Sequence, residues 1–149
     1  MPYRVGHGNA GLTGGEVKLV TPADGAPGAV TLTPYTVPAG RLSRILYVSA
    51  KFKAGATVGS RTTVLSIFDA GGTRIFSTSF AAVAENAQAS VYAFGPVPTG
   101  THAENGGSSR GIPGGPWPEG VSVELFAFGG KAGDVWADIR LLVEEWEGV

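Results

Sequence analysis

The sequence predicts an all-β protein, a two-sheet β-sandwich, jelly-roll-like, of seven to eight strands. Three observations carry this. From Val135 to Glu144 the odd positions read Val, Ala, Ile, Leu, Val, while the even ones are mostly Trp, Asp, Arg and Glu. A period of two sets one strand face in a core and the other on a surface. The same alternation recurs over Leu46 to Phe52 and Val121 to Ala127. Glycine supplies 24 of 149 residues, more than twice the usual ~7%, which fits many tight turns. No convincing amphipathic helix pattern interrupts the strands.

Taken in order, residues 1 to 15 carry five glycines and little apolar pattern, so they read as an extended arm suited to docking rather than to folding. Glu16 to Val20 is a short alternating strand, and Thr21 to Gly28 is a turn-rich linker. The arm with its one strand is thus 1–28, and the sandwich domain is 29–149. Val30 to Thr33 is a strand, and Val37-Pro38-Ala39-Gly40 is a turn in which Pro presets φ. Arg41 to Ala54 is a long strand whose alternation breaks at Arg44-Ile45, the mark of a bulge or an edge. Arg61 to Asp69 and Thr73 to Phe80 form a hairpin about Asp69-Ala70-Gly71-Gly72. Ala81 to Ala89 is open to a helical turn or a loop, and Ser90 to Phe94 returns to strand. Gly95 to Glu119, rich in Gly and Pro, is a long loop of the kind that is functional or mobile. Val121 to Phe128, a Gly turn through Asp134, and the final strand close the domain.

Charged residues make up 15% of the chain, against a typical ~25%. Such a deficit suits either a surface of Ser, Thr and Gly or one that faces other subunits. Ile45, Tyr47, Phe126, Phe128, Trp136 and Leu142 fall on strand positions expected to be exposed, which favours the second reading. In the last strand Val135, Ile139 and Leu141 are expected in the core, and Trp136 and Leu142 at an interface. A net charge of -1 speaks against a nucleic acid partner, which needs a basic surface. No apolar run approaches the ~20 residues of a membrane-spanning helix, and Met1 to Gly6 has no signal-peptide character, so the expectation is a soluble chain made without secretion. There is no cysteine, hence no disulfide and no thiolate metal site.

Catalytic chemistry is not legible. The two histidines, His7 in the arm and His102 in the long loop, sit in no recognisable setting. Asp69, Glu124, Asp134 and Asp138 show no glycosidase pairing. Asp69 and Asp134 lie in Gly turns, where Asp caps local backbone N–H groups; a calcium site there lacks any EF-hand-like spacing. Glu144, Glu145 and Glu147 read as a solvated acidic tail. Trp117, between Pro116 and Pro118, is a loop aromatic that suits a lid, an interface anchor or a sugar-stacking platform. No cofactor and no metal is expected, and the chain reads as non-enzymatic.

Val37-Pro38-Ala39-Gly40, Val58-Gly59-Ser60-Arg61, Asp69-Ala70-Gly71-Gly72, Tyr92-Ala93-Phe94-Gly95-Pro96, Pro118-Glu119-Gly120 and Ala132-Gly133-Asp134 come in an order that resembles small virion-associated proteins of tailed bacteriophages, including capsid decoration (cement) and head-fibre proteins. The resemblance covers roughly residues 30 to 145. It implies a trimeric sandwich that caps capsomer junctions, with self and the major capsid protein as partners, no nucleic acid and no membrane, on the capsid surface of a virion assembled in the host cytoplasm. Alternatives of the same shape are a tail or fibre component and a carbohydrate-binding module. The interface candidates are Trp117, Trp136, Leu142, Phe126, Phe128 and Tyr47.

Overall fold

In a computed structural model, which describes residues 14–95, 100–101, 108–113 and 115–147, eleven strands form two stacked sheets. They are β1 (Glu16–Val20), β2 (Thr31–Thr36), β3 (Arg41–Lys53), β4 (Arg61–Phe68), β5 (Arg74–Val83), β6 (Gln88–Phe94), β7 (Gly100–Thr101), β8 (Ser108–Gly111), β9 (Trp117–Pro118), β10 (Ser122–Phe128) and β11 (Val135–Glu147). One sheet runs β1-β11-β3-β6-β8-β7, with β9 beside the start of β3; the other runs β2-β10-β4-β5. Eight of these strands stand where the alternation places them. The other three lie in the stretch 95–119 that reads as a loop. There β8 pairs with β6 in parallel, where a jelly roll is antiparallel, and Ile112 just after it is buried in the core. In the segment 81–89, open to a helical turn or a loop, only 84–87 form a turn: β5 continues to Val83 and β6 begins at Gln88.

The core lies between the sheets. Ile45, Val48, Ala50 and Phe52 of β3, Val91 and Ala93 of β6, and Ile139, Leu141 and Val143 of β11 meet Leu65 and Ile67 of β4 and Val121, Val123, Leu125 and Ala127 at β10. The alternation of β10 is therefore read correctly from the sequence, with Phe126 and Phe128 on its outer side.

Two bulges correct the reading of the long strands. In β3 the pairing to β11 skips Leu46, since Val143 faces Ile45 and Leu142 faces Tyr47. The extra residue reverses the parity, so Ile45, expected on the exposed face, is 1% exposed. The break in pattern at Arg44-Ile45 is this bulge, and β3 is an interior strand. In β11 the register slips between Ala137 and Arg140, where Asp138 takes a positive φ of 51°. Trp136 and Ile139 consequently both face inward, and Val135 is only half-buried. Trp136, expected at an interface, is fully buried. Its ring meets Phe52 edge-on at 5.0 Å, and its Nε1 donates to the Val30 carbonyl at 3.2 Å.

Residues 1–13 of the expected arm lie outside the described residues. The strand read within 1–28 is β1, paired antiparallel with β11 from Glu16↔Glu145 to Val20↔Leu141. The linker after it runs beside β11, where Gly25 N donates to Trp136 O at 2.9 Å and Gly28 N to Asp134 O at 2.8 Å.

Because Trp136 and Ile139 share the core, Trp136→Ala and Ile139→Ala should both destabilise the folded chain. We expect about 3–5 kcal/mol for the first and about 2–5 kcal/mol for the second, read as shifts in urea midpoint. A Trp136→Ala protein with unchanged stability would refute the bulge assignment.

Candidate functional site

The charged residues that the fold draws inside come first. Arg61, at the start of β4, and Asp134, just before β11, are both sealed from solvent. Arg61 Nε donates to Asp134 Oδ2 at 2.9 Å and Nη2 to Oδ1 at 3.0 Å, a two-point contact. The guanidinium also donates to the carbonyls of Gly59 and Thr57. Asp134 further accepts from Gly55 N at 2.8 Å and Lys131 N at 2.7 Å. The two loops approach closely here: a Cβ on Gly55 would stand 3.0 Å from the Gly133 carbonyl group. Burial by itself would raise the Asp134 carboxyl, but the Arg61 guanidinium and the two backbone N–H groups hold it below the usual carboxylate range. The expected capping role of Asp134 is thus present at Lys131, and it is joined by an ion pair that the turn signature does not announce. Asp69 does what its Gly turn suggests, since its Oδ1 accepts from Gly71 N and Thr73 N.

The second group corrects the acidic tail. Glu144 and Glu145 are buried and only Glu147 is exposed. Strand alternation sends the first two to opposite faces of β11. Glu145 points inward, where the Tyr35 phenol donates to its Oε2 at 2.8 Å and lies 2.8 Å from Ser43 Oγ. Lys18 Nζ reaches its Oε1 at 2.9 Å. Burial opposes ionisation of Glu145, and the Lys18 and Tyr35 hydrogen bonds outweigh it, leaving the carboxyl below its ordinary range. The phenol is pushed well above its own range by burial and by that carboxylate. Glu144 turns outward to pair with Arg44 and to accept from Gly15 N at 2.9 Å, while Arg44 lies over the Trp146 ring at 5.6 Å. Asp134, Glu144 and Glu145 each accept hydrogen bonds on both carboxylate oxygens. Among the described residues no His/Cys/Asp/Glu group of three or more is placed to hold a metal. His102 and His7 lie outside the described residues.

The interface candidates divide between two opposite faces. On the outer side of the four-stranded sheet, Phe126 and Phe128 are edge-to-face at 6.4 Å. Phe126 stands opposite Val64 across the pairing, and Phe128 is 70% exposed. On the outer side of the seven-stranded sheet, Leu19, Leu142 and Tyr47 align across three strands. Trp117 belongs to neither: it is half-buried on β9 and packs against the core, in keeping with a lid. Sequence patterning placed Phe126 and Phe128 on the outer face, where the structure has them. It missed Arg61, Tyr35 and Glu145, whose partners are 73 and 110 residues apart.

No protein-family model matches this chain, and no curated protein matches it. Among solved structures, it is similar to a chain of the T13 particle of IBDV, at 14% identity and a TM-score of 0.42 over 95% of this chain and 35% of that one. It is also similar to a mutant VP2 protein of infectious bursal disease virus from derived T=1 particles, at 14% identity and a TM-score of 0.41, over 99% of this chain and 37% of the other. An agarase, AgWH50C, is matched at 14% identity and a TM-score of 0.36 over 80% of this chain and 19% of that one. The chain thus spans well under half the length of each.

Removing one partner of the sealed pair strands the other. Asp134→Ala should therefore cost about 3–5 kcal/mol of stability. The apolar double variant Arg61→Met, Asp134→Leu should remain less stable than the parent, because Gly55 N and Lys131 N lose their acceptor, at about 1–3 kcal/mol for a buried group left unpaired. Urea titration of both variants checks this, and a double variant as stable as the parent would contradict it.

Asp134 and Glu145 both have folded-state values below their unfolded ones, so their contribution is fully present above the unfolded carboxylate range, near pH ~4. It is lost as pH falls through the folded values. Urea midpoints should be flat from neutrality down to about pH 5 and fall steeply below about pH 4. Asp134→Asn should make that acid limb shallower.

Proposed function

We propose that this chain is a non-enzymatic structural protein of a virus particle, and within that class a capsid decoration (cement) protein that docks as a homotrimer on the outer surface of a shell of major capsid protein. The observation that carries the reading is the division of labour among side chains. The buried charges are engaged in holding loops and strands together, while half-buried Phe126 and exposed Phe128 form an aromatic pair on a sheet face that no other element covers among the described residues. An uncovered aromatic pair on a strand face is the usual material of an interface centre. The resemblance of the turn signatures to those of tailed-phage decoration proteins supports the virion setting and agrees with a domain that works by shape.

In this reading the four-stranded sheet is the contact face. Closure into a ring covers an apolar surface that a monomer leaves to solvent. Attachment in many copies makes modest individual contacts strong in sum. A tail or fibre component would use the same sandwich in few copies, so copy number in purified particles separates the two.

Phe126→Ser combined with Phe128→Ser should lower the thermal midpoint of the chain only modestly, since both side chains stand on the outer face, Phe126 half-buried and Phe128 exposed. The same double variant should dissociate the oligomer and weaken attachment to shells. Native mass spectrometry of parent and variant reads the first effect, and co-sedimentation with shells reads the second. A parent protein that is monomeric, or a variant that assembles and attaches like the parent, would overturn the reading.

A further inference from the structure

The outer face of the seven-stranded sheet holds an open groove of about 360 Å³ over β3, β6 and β11. Its shape follows from register. Arg140, Ser49 and Tyr92 stand in one cross-strand row, and the small Ser49 between two long side chains makes a low floor. In the next outward row Lys51 stands opposite Ser90. Tyr47 lies diagonal to Tyr92, with ring centroids 6.5 Å apart and planes tilted by 34°. One wall of the groove is therefore aromatic and its floor is hydroxyl-bearing.

The β11 bulge supplies the remaining wall. In an unbroken strand, Asp138 would follow Ala137 by pointing into the core. The register slip turns it outward, where its Oδ2 lies 3.4 Å from Lys51 Nζ. The turned backbone, with φ at 51° in a residue other than glycine, is held by Asp24, whose Oδ1 accepts from Asp138 N at 3.0 Å. Bulges of this kind re-aim side chains at binding sites. Asp24 itself does not line the groove. The lining charges are then Lys51 and Arg140 against Asp138, an excess of one cation. Arg140 is exposed and has no ion pair among the described residues.

We infer that this groove is a binding site for an acidic saccharide, a sugar chain carrying carboxylate groups. The C–H face of a pyranose ring suits the electron-rich faces of Tyr47 and Tyr92. Ser49, Ser90 and the Lys51–Asp138 pair offer donors and acceptors for hydroxyls, and Arg140 offers a planar fork for a carboxylate. An acidic peptide fits less well. The groove lies over interior strands whose backbone is already paired, so no edge is open for strand addition, and the floor has no apolar pocket for side chains. The site is built within one chain and does not depend on the assembly proposed above, so its test is independent of oligomeric state.

The test is calorimetric titration of the full chain with a panel of acidic trisaccharides (hexuronate, sialylated) beside a neutral galactose trisaccharide. Amide chemical shifts then locate the contact. Binding of at least one acidic sugar at about millimolar affinity or better, weakened by added salt, with shifts at Ser49, Lys51, Tyr92 and Arg140, is expected. Arg140→Gln should reduce that affinity roughly tenfold, a difference of about 1.4 kcal/mol, and erase the preference over the neutral sugar. Tyr92→Ala should weaken both sugars. The Phe126→Ser/Phe128→Ser variant, altered on the opposite face, should bind like the parent. Absence of binding by every acidic sugar, equal affinity for the neutral one, or indifference to Arg140→Gln in a protein with an unchanged melting midpoint would overturn the inference.

Discussion

Arg61 and Asp134 sit where the β3–β4 connection meets the β10–β11 connection, and both are removed from water. Taking two charges into a protein interior is unfavourable unless nearly every donor and acceptor is met. Here the carboxylate receives the guanidinium and two backbone N–H groups, and the guanidinium also reaches two carbonyls. The pair therefore specifies the path of two loops at once. Those loops lead into β4 in one sheet and β11 in the other, so the contact ties the two layers at one end of the sandwich. At the other end, Tyr35 of β2 reaches Glu145 of β11 and does the same. Between these two polar ties the interior is left to apolar side chains and the Phe52–Trp136 contact.

The bulges give the outer faces their character. At Leu46 and at Asp138 one additional residue reverses the parity of a long strand. Each reversal keeps large apolar groups in the core on both sides of it: Ile45 and Val48 in β3, Trp136 and Ile139 in β11. The second also brings Asp138 beside Lys51, opposite the tyrosine pair, and so converts a packing adjustment into one wall of a groove. The two outer faces then differ in kind. The four-stranded sheet carries the Phe126–Phe128 pair, while the seven-stranded sheet carries hydroxyls, two tyrosine rings and the Arg140 cation.

The fold class and the place of eight strands were legible in the residues, because a strand with one wet face alternates and glycine favours the turns between strands. Phe126 and Phe128 could also be placed facing outward, since the alternation in β10 is unbroken from Val121 to Phe128. The capping of Asp69 and of Asp134 by nearby N–H groups was legible for the same reason, both being interactions within a few residues. The remaining contacts depend on how the sheets pack. Trp136 and Ile45 were misassigned because a bulge adds a residue without a composition of its own, and parity beyond it depends on the neighbouring strand's register. Glu144 and Glu145 look like a solvated tail until β1, β2 and β3 bring Gly15, Lys18, Tyr35 and Arg44 to them. The partner of Arg61 lies 73 residues away. A contact across such a distance is made by the packing of whole sheets, and no local pattern of residues carries its trace.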